Sequence, residues 1–152
     1  MVEKKLKELG IELPEAAKPV AAYVPAVKAG DFVYTAGQIP VVDGQVKYTG
    51  QIGKARTVEE GYEAAKICAI NCLSAVKSLI GSLDKVEQIV KLTGFVNTEP
   101  GYGNQPLVIN GASEFLLEVF GEKGAHARSA VGVSGLPLDS LVEIEMIVKV
   151  KG

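Results

Sequence analysis

The stretch Ala127-Arg128-Ser129-Ala130-Val131-Gly132-Val133, then Ser134-Gly135-Leu136-Pro137-Leu138-Asp139-Ser140, then Leu141 to Val150, reads as strand, turn, strand. Its first limb is short and built of small and β-branched residues. The middle segment carries turn chemistry: Pro137 fixes φ, and Asp139 and Ser140 can bond nearby backbone. The last limb alternates with the period of a strand. Val142, Ile144, Met146, Val148 and Val150 fall on one face, and Glu143, Glu145, Ile147 and Lys149 on the other. As an antiparallel hairpin this stretch brings Arg128 and Glu143 toward one side of the sheet. A guanidinium forks onto a carboxylate in two parallel bonds, and a glutamate beside it can hold or deprotonate a water. By spacing alone the pair reads first as a cross-strand ion pair on a solvated face.

Upstream, the pattern gives two long helices with a central strand between them. Pro106 fits the first turn of a helix that runs to Phe120 and stops at Gly121, with Val108, Ala112, Phe115, Leu116 and Val119 as its buried stripe. Asn97 to Gln105 is a loop, and Gly101-Tyr102-Gly103 lacks the spacing of a dinucleotide fingerprint. Val86 to Val96 is apolar on both faces, as in a strand covered on both sides. Thr57-Val58-Glu59-Glu60 is a capping box that opens a long helix ending at Gly81, with Val58, Tyr62, Ala65, Ala69, Cys72, Val76 and Leu79 as its apolar stripe. Val42 to Tyr48 forms a short strand pair around Asp43-Gly44. Val20 to Val27 and Phe32 to Ala36 are strands joined at Gly30-Asp31. Residues 3 to 9 form a short helix stopped by Gly10, within an N-terminal extension that covers residues 1–18.

The element order, β-β-α-β-α-β-β after that extension, makes residues 1–152 one α+β domain: a mixed sheet with two main helices on one face. Two helices cannot cover both faces of such a sheet, so the bare face is expected to meet another chain. The formal charge is −2 with no basic cluster, which speaks against nucleic-acid binding. No apolar run is long enough to span a bilayer, and the amphipathic N-terminus is unlike a signal peptide, so a cytoplasmic protein is expected. Cys68 and Cys72, one helical turn apart, read as small buried hydrophobes. With His126 as the single histidine there is neither a zinc set nor a Ser-His-Asp triad, and no metal or cofactor is expected. His126 reads as a loop residue or as one bordering a pocket at Arg128.

Three motifs in order resemble the Rid family of reactive intermediate deaminases, also called YjgF-type. They are Ala22-Tyr23-Val24-Pro25-Ala26-Val27, then Tyr34-Thr35-Ala36-Gly37-Gln38-Ile39-Pro40, then Ala127-Arg128-Ser129 with Leu136-Pro137 and Glu143-Ile144-Glu145. The likeness runs from about Pro19 to Val150. It implies a chorismate-mutase-like fold and a homotrimer with sites in clefts between subunits. It implies hydrolysis of 2-imino acids such as 2-iminopropanoate and 2-iminobutanoate to 2-keto acids and ammonia, without cofactor. By the same resemblance Arg128 binds the substrate carboxylate and Glu143 handles the attacking water. Gly37 holds water or substrate through its backbone, and Tyr23 and Asn110 line the pocket.

Ala130 stands where many members have cysteine, and Ala36 where they have serine; backbone groups near Ala130 would share the work of Gly37. Tyr102, in a loop longer than in the smallest members, is a candidate pocket lid. These departures mark a divergent subgroup. A binding module that captures a small carboxylate without turnover is the alternative reading. A ribonuclease, a function also attached to this family by name, is disfavoured by the acidic balance.

Overall fold

The computed structural model describes residues 1–18 and 22–152. Helix α1 (Val2–Glu8) ends where Gly10 adopts φ 72°. Strands β1 (Ala26–Ala29) and β2 (Phe32–Thr35) form a hairpin across Gly30-Asp31. The small ribbon β3 (Val41–Val42) and β4 (Gln45–Val46) turns at Asp43 and Gly44, both with positive φ, as a tight hairpin requires. Then follow α2 (Val58–Ile80), β5 (Val86–Asn97), α3 (Gln105–Phe120), β6 (Ala127–Val133) and β7 (Val142–Val150). Of the strand expected over 20–27, Val20 and Ala21 lie outside the described residues, and among the rest strand pairing begins after Pro25, which has no N–H to give a ladder.

The main sheet has the order β1-β2-β7-β5-β6. The expected hairpin between β6 and β7 does not exist. Strand β5 lies between them, parallel to β6 and antiparallel to β7. The reason is burial. β5 carries Ile89, Leu92 and Val96, and a place inside the sheet, between β7 and β6, covers these inward side chains wholly where an edge would not. The 3-10 turn at Pro137–Asp139 therefore carries the chain across β5 rather than back along β6. Leu138 and Asp139 take positive φ there.

Both long helices pack on one face of the sheet and on each other. Inward-facing Val33, Leu92, Val96, Val142, Ile144, Met146 and Val148 are buried beneath them. The capping box of α2 is formed: Glu60 N–H donates to Thr57 Oγ1, and Thr57 N–H to Glu60 Oε1. The buried arc of α2 is wider than its expected stripe. Gly61, Ala64, Cys68, Leu73 and Ala75 are buried, while Leu79 is 45% exposed. Sheet and α3 approach α2 from two directions, and small residues allow the contact. A Cβ on Gly111 would lie 1.9 Å from the Tyr62 carbonyl oxygen, so α3 crosses α2 at a glycine. Both cysteines are buried free thiols; Cys72 donates to the Ile144 carbonyl at 3.3 Å.

The N-terminal extension docks at the far end of α2. Val2 and Leu6 are buried. Glu3 accepts from Lys77 Nζ at 2.9 Å and from the Leu83 N–H at 2.8 Å. The opposite face of the sheet carries no helix. It presents Val27, Phe32, Tyr34 and Val131 partly to solvent among Glu143, Glu145 and Lys149. Among the described residues no helix is long and apolar enough to cross a membrane.

Candidate functional site

Arg128 is the second residue of β6, the edge strand. Its register partner on β5 is Leu92, which faces the helices, so Arg128 also points to the helical side. There its NH1 group donates to Asn110 Oδ1 at 2.8 Å and to Ser113 Oγ at 3.1 Å, both on α3. Asn110 and Ser113 are three apart and therefore neighbours on one helical face. NH1 is thus consumed by the protein's own acceptors, and among the described residues no carboxylate pairs with Arg128. What stays available is the edge formed by Nε–H and NH2, two parallel donors with the spacing of a carboxylate's oxygens. Ala130 follows on the same face, half-buried against the core and beside Gly94, whose missing side chain lets Ile109 of α3 come close.

Glu143 is elsewhere. Its register partner on β5 is Phe95, three residues from Leu92 and hence on the opposite face. The expectation that Arg128 and Glu143 share one side of the sheet is overturned. With β5 between their strands, register rather than hairpin reach sets their faces, and the sheet separates them within one chain. Glu143 is half-buried, and burial, with the nearby charge of Glu145 as a lesser cause, raises its carboxyl above the ordinary carboxylate range.

Gly37 belongs with Glu143. Past the end of β2 the chain continues alongside β7, where Gln38 and Ile144 exchange backbone bonds of 2.7 and 3.0 Å. A Cβ on Gly37 would lie 2.3 Å from Glu143 Oε2, so only glycine leaves room for the carboxylate here. Tyr23, in the bend before β1, is 57% exposed on the surface. The Tyr102 ring packs partly on the core, and its hydroxyl is buried with no hydrogen-bond partner among the described residues.

The candidate residues therefore form two groups: Arg128, Asn110 and Ala130 on the helical side, and Gly37 with Glu143 on the bare side. Ser113 was not legible as a site residue. The signal that could have found it is its place three residues after Asn110 on a helix. His126 does approach the arginine group, with Nε2 2.9 Å from Ser113 Oγ. Among the described residues no cluster of His, Cys, Asp and Glu has the geometry of a metal site.

Residues 3–150 match the family described as "YjgF/chorismate_mutase-like, putative endoribonuclease". The chain is 44% identical to Protein TCP17 of Trypanosoma cruzi over 97% of its own length and 93% of that protein. It is 30% identical to a 2-iminobutanoate/2-iminopropanoate deaminase of Dermatophagoides farinae, covering 93% and 95% of the two chains. The crystal structure of Atu1372 from Agrobacterium tumefaciens, a protein of unknown function, superposes with a TM-score of 0.91 at 44% identity, covering 99% of this chain and 92% of that one. A mixed sheet with both helices on one face, an edge-strand arginine and a family match over almost the whole length agree, and the chain belongs to the YjgF/chorismate-mutase-like family.

Proposed function

We propose that this protein hydrolyses small 2-imino acids to 2-keto acids and ammonia, at a site assembled between protomers of a homotrimer. The observation that carries the reading is the state of Arg128: anchored through NH1, free of any acid within the described residues, with its Nε–NH2 edge unspent. That edge fits the carboxylate of a 2-imino acid. The deaminase name of the Dermatophagoides relative supports the same substrate class.

The second half of the site is then Gly37 and Glu143 of a neighbouring protomer, because one chain cannot bring its own Glu143 round the sheet to its own Arg128. The half-exposed apolar residues of the bare face, Phe32, Tyr34, Ile147 and Val131, are the surface that protomers would bury. In the reaction, Arg128 orients the acid group and holds C2 in place. Glu143, with its raised affinity for protons, takes a proton from the attacking water as the oxygen bonds to C2 and the C=N π pair moves to nitrogen. The same carboxyl returns the proton to nitrogen. Glu143, again ionised, then takes the hydroxyl proton as the C–N bond breaks, so that the oxygen becomes the keto oxygen, ammonia leaves and the proton passes to it as ammonium. An iminium carbon is electrophilic enough for this without a covalent nucleophile.

The test is the rate of 2-iminopropanoate loss above background. Wild-type protein accelerates it and Arg128→Ala does not. Equal rates from the two proteins would exclude the assigned role of Arg128. Binding of 2-ketobutanoate that depends on Arg128, with no acceleration by the wild type, would make the protein a carboxylate-binding module instead.

A further inference from the structure

Behind Arg128 runs a chain of hydrogen bonds whose direction is set once the His126 ring is neutral. His126 Nδ1 lies 2.6 Å from the Gly124 carbonyl oxygen. A carbonyl oxygen can only accept, so Nδ1 carries a proton. In the neutral ring Nε2 is then an acceptor. Ser113 Oγ, 2.9 Å away, has a single hydrogen, and it goes to Nε2. The lone pairs of Ser113 are left to face Arg128 NH1, which can only donate. Every donor meets an acceptor, in the order Arg128 to Ser113 to His126 to Gly124.

Two links of this chain are tied to α3. Ser113 is on the helix. Gly124 is buried against it so closely that a Cβ would stand 2.3 Å from the Leu116 carbonyl oxygen. The chain therefore has a fixed floor. Asn110 alone would leave the guanidinium free to swing about one hydrogen bond. The second bond, from Ser113, fixes its plane and with it the direction of the Nε–NH2 edge. We propose that Ser113 and His126 are positioning residues for the carboxylate site, holding the Arg128 fork in the orientation that receives the substrate's acid group. This rests on the reading of Arg128 as the carboxylate anchor.

His126 is the chain's single histidine, so its imidazole signals need no assignment. In 15N spectra of the full-length protein at pH 8, Nδ1 is expected to be protonated and Nε2 not, the minor tautomer of free histidine. A protonated Nε2 would overturn the proposal. Calorimetry with 2-ketobutanoate as the probe should show binding about tenfold weaker in Ser113→Ala, the size of one lost bond to a charged donor. Ser113→Thr, which keeps the hydroxyl, should bind within about twofold of wild type. Alanine is a good helix former, so Ser113→Ala should remain folded, and an unchanged melting temperature checks this.

Wild-type affinity in Ser113→Ala, with affinity lost in Arg128→Ala, would overturn the positioning role and leave the carboxylate site standing. Undiminished affinity in Arg128→Ala would overturn the site itself. Equal weakening in the Thr and Ala variants would show that Ser113 acts by packing, and would also defeat the proposal.

Discussion

The two faces of the sheet treat their charged residues in opposite ways. On the helical face, Arg128 is held at one end by Asn110 and Ser113, and its remaining donors keep a fixed direction. On the bare face, Glu143 has a raised pKa and is half-buried against a glycine that makes room for it. One face supplies an oriented cation and the other a carboxylate that holds its proton more tightly than usual. On the function proposed above, the difference teaches that the protomer would carry two halves of a reaction centre. Each half is rigid where the fold supports it and open where a second chain would arrive.

Mixing two inactive variants tests that comparison most severely. Arg128→Ala and Glu143→Gln should each reduce activity on the order of a thousandfold, about 4 kcal/mol of transition-state stabilisation. After subunit exchange in a one-to-one mixture, about a quarter of the sites in cyclic trimers would combine two intact halves, and activity should return to about that fraction of wild type. A mixture that stays inactive after proven exchange would mean that both groups must come from one chain.

The helical face should be the less forgiving of the two in stability. Gly111→Ala sets a methyl against the Tyr62 backbone and is expected to cost about 3 kcal/mol, read from denaturant midpoints. Gly37→Ala meets only the end of a flexible side chain. It should melt near wild type yet lower kcat about tenfold to a hundredfold by displacing the Glu143 carboxylate. If Gly37→Ala destabilised as much as Gly111→Ala, the contrast between the faces would be lost.

The pH dependence of Glu143 gives a subtler check. Its folded pKa lies above the unfolded value, so the folded state holds the proton more tightly. Its contribution to stability is full below the unfolded pKa and is lost as pH rises through the folded one. Glu143→Gln should therefore melt at or above the wild-type temperature at pH 7.5 while losing activity, and the difference should vanish in acid. A lower melting temperature at neutral pH would show that the carboxylate serves the fold. The smallest expected effect is that of Thr57→Ala, about 1 kcal/mol from the lost cap of α2, with no change in 2-ketobutanoate affinity.

Much of this was legible in the chain. The capping box at Thr57, the glycine stops at Gly81 and Gly121, the turn at Asp43-Gly44 and the alternation of Val142 to Val150 all act between residues near in sequence, and all are present. The family's three motifs led to Arg128, Glu143 and Gly37, and the last two do meet. The pairing of β6 was not legible. A strand followed by a turn and a strand looks like a hairpin, and nothing local says that β5 will lie between them. Ser113 was hidden for a related reason: a serine on an amphipathic helix has no signal until the strand carrying Arg128 is docked beside it.

The sequence by itself determined the elements, their inward faces and the identity of the charged residues, because those depend on backbone preferences and on periodicities of two and 3.6 residues. Only the tertiary structure decided which face of the sheet each charge occupies. That choice follows from strand order, in which an apolar strand such as β5 loses more contact with water inside the sheet than at its edge. Moving β5 between β6 and β7 buries Leu92 and Val96, and the same move sends Arg128 and Glu143 to opposite sides.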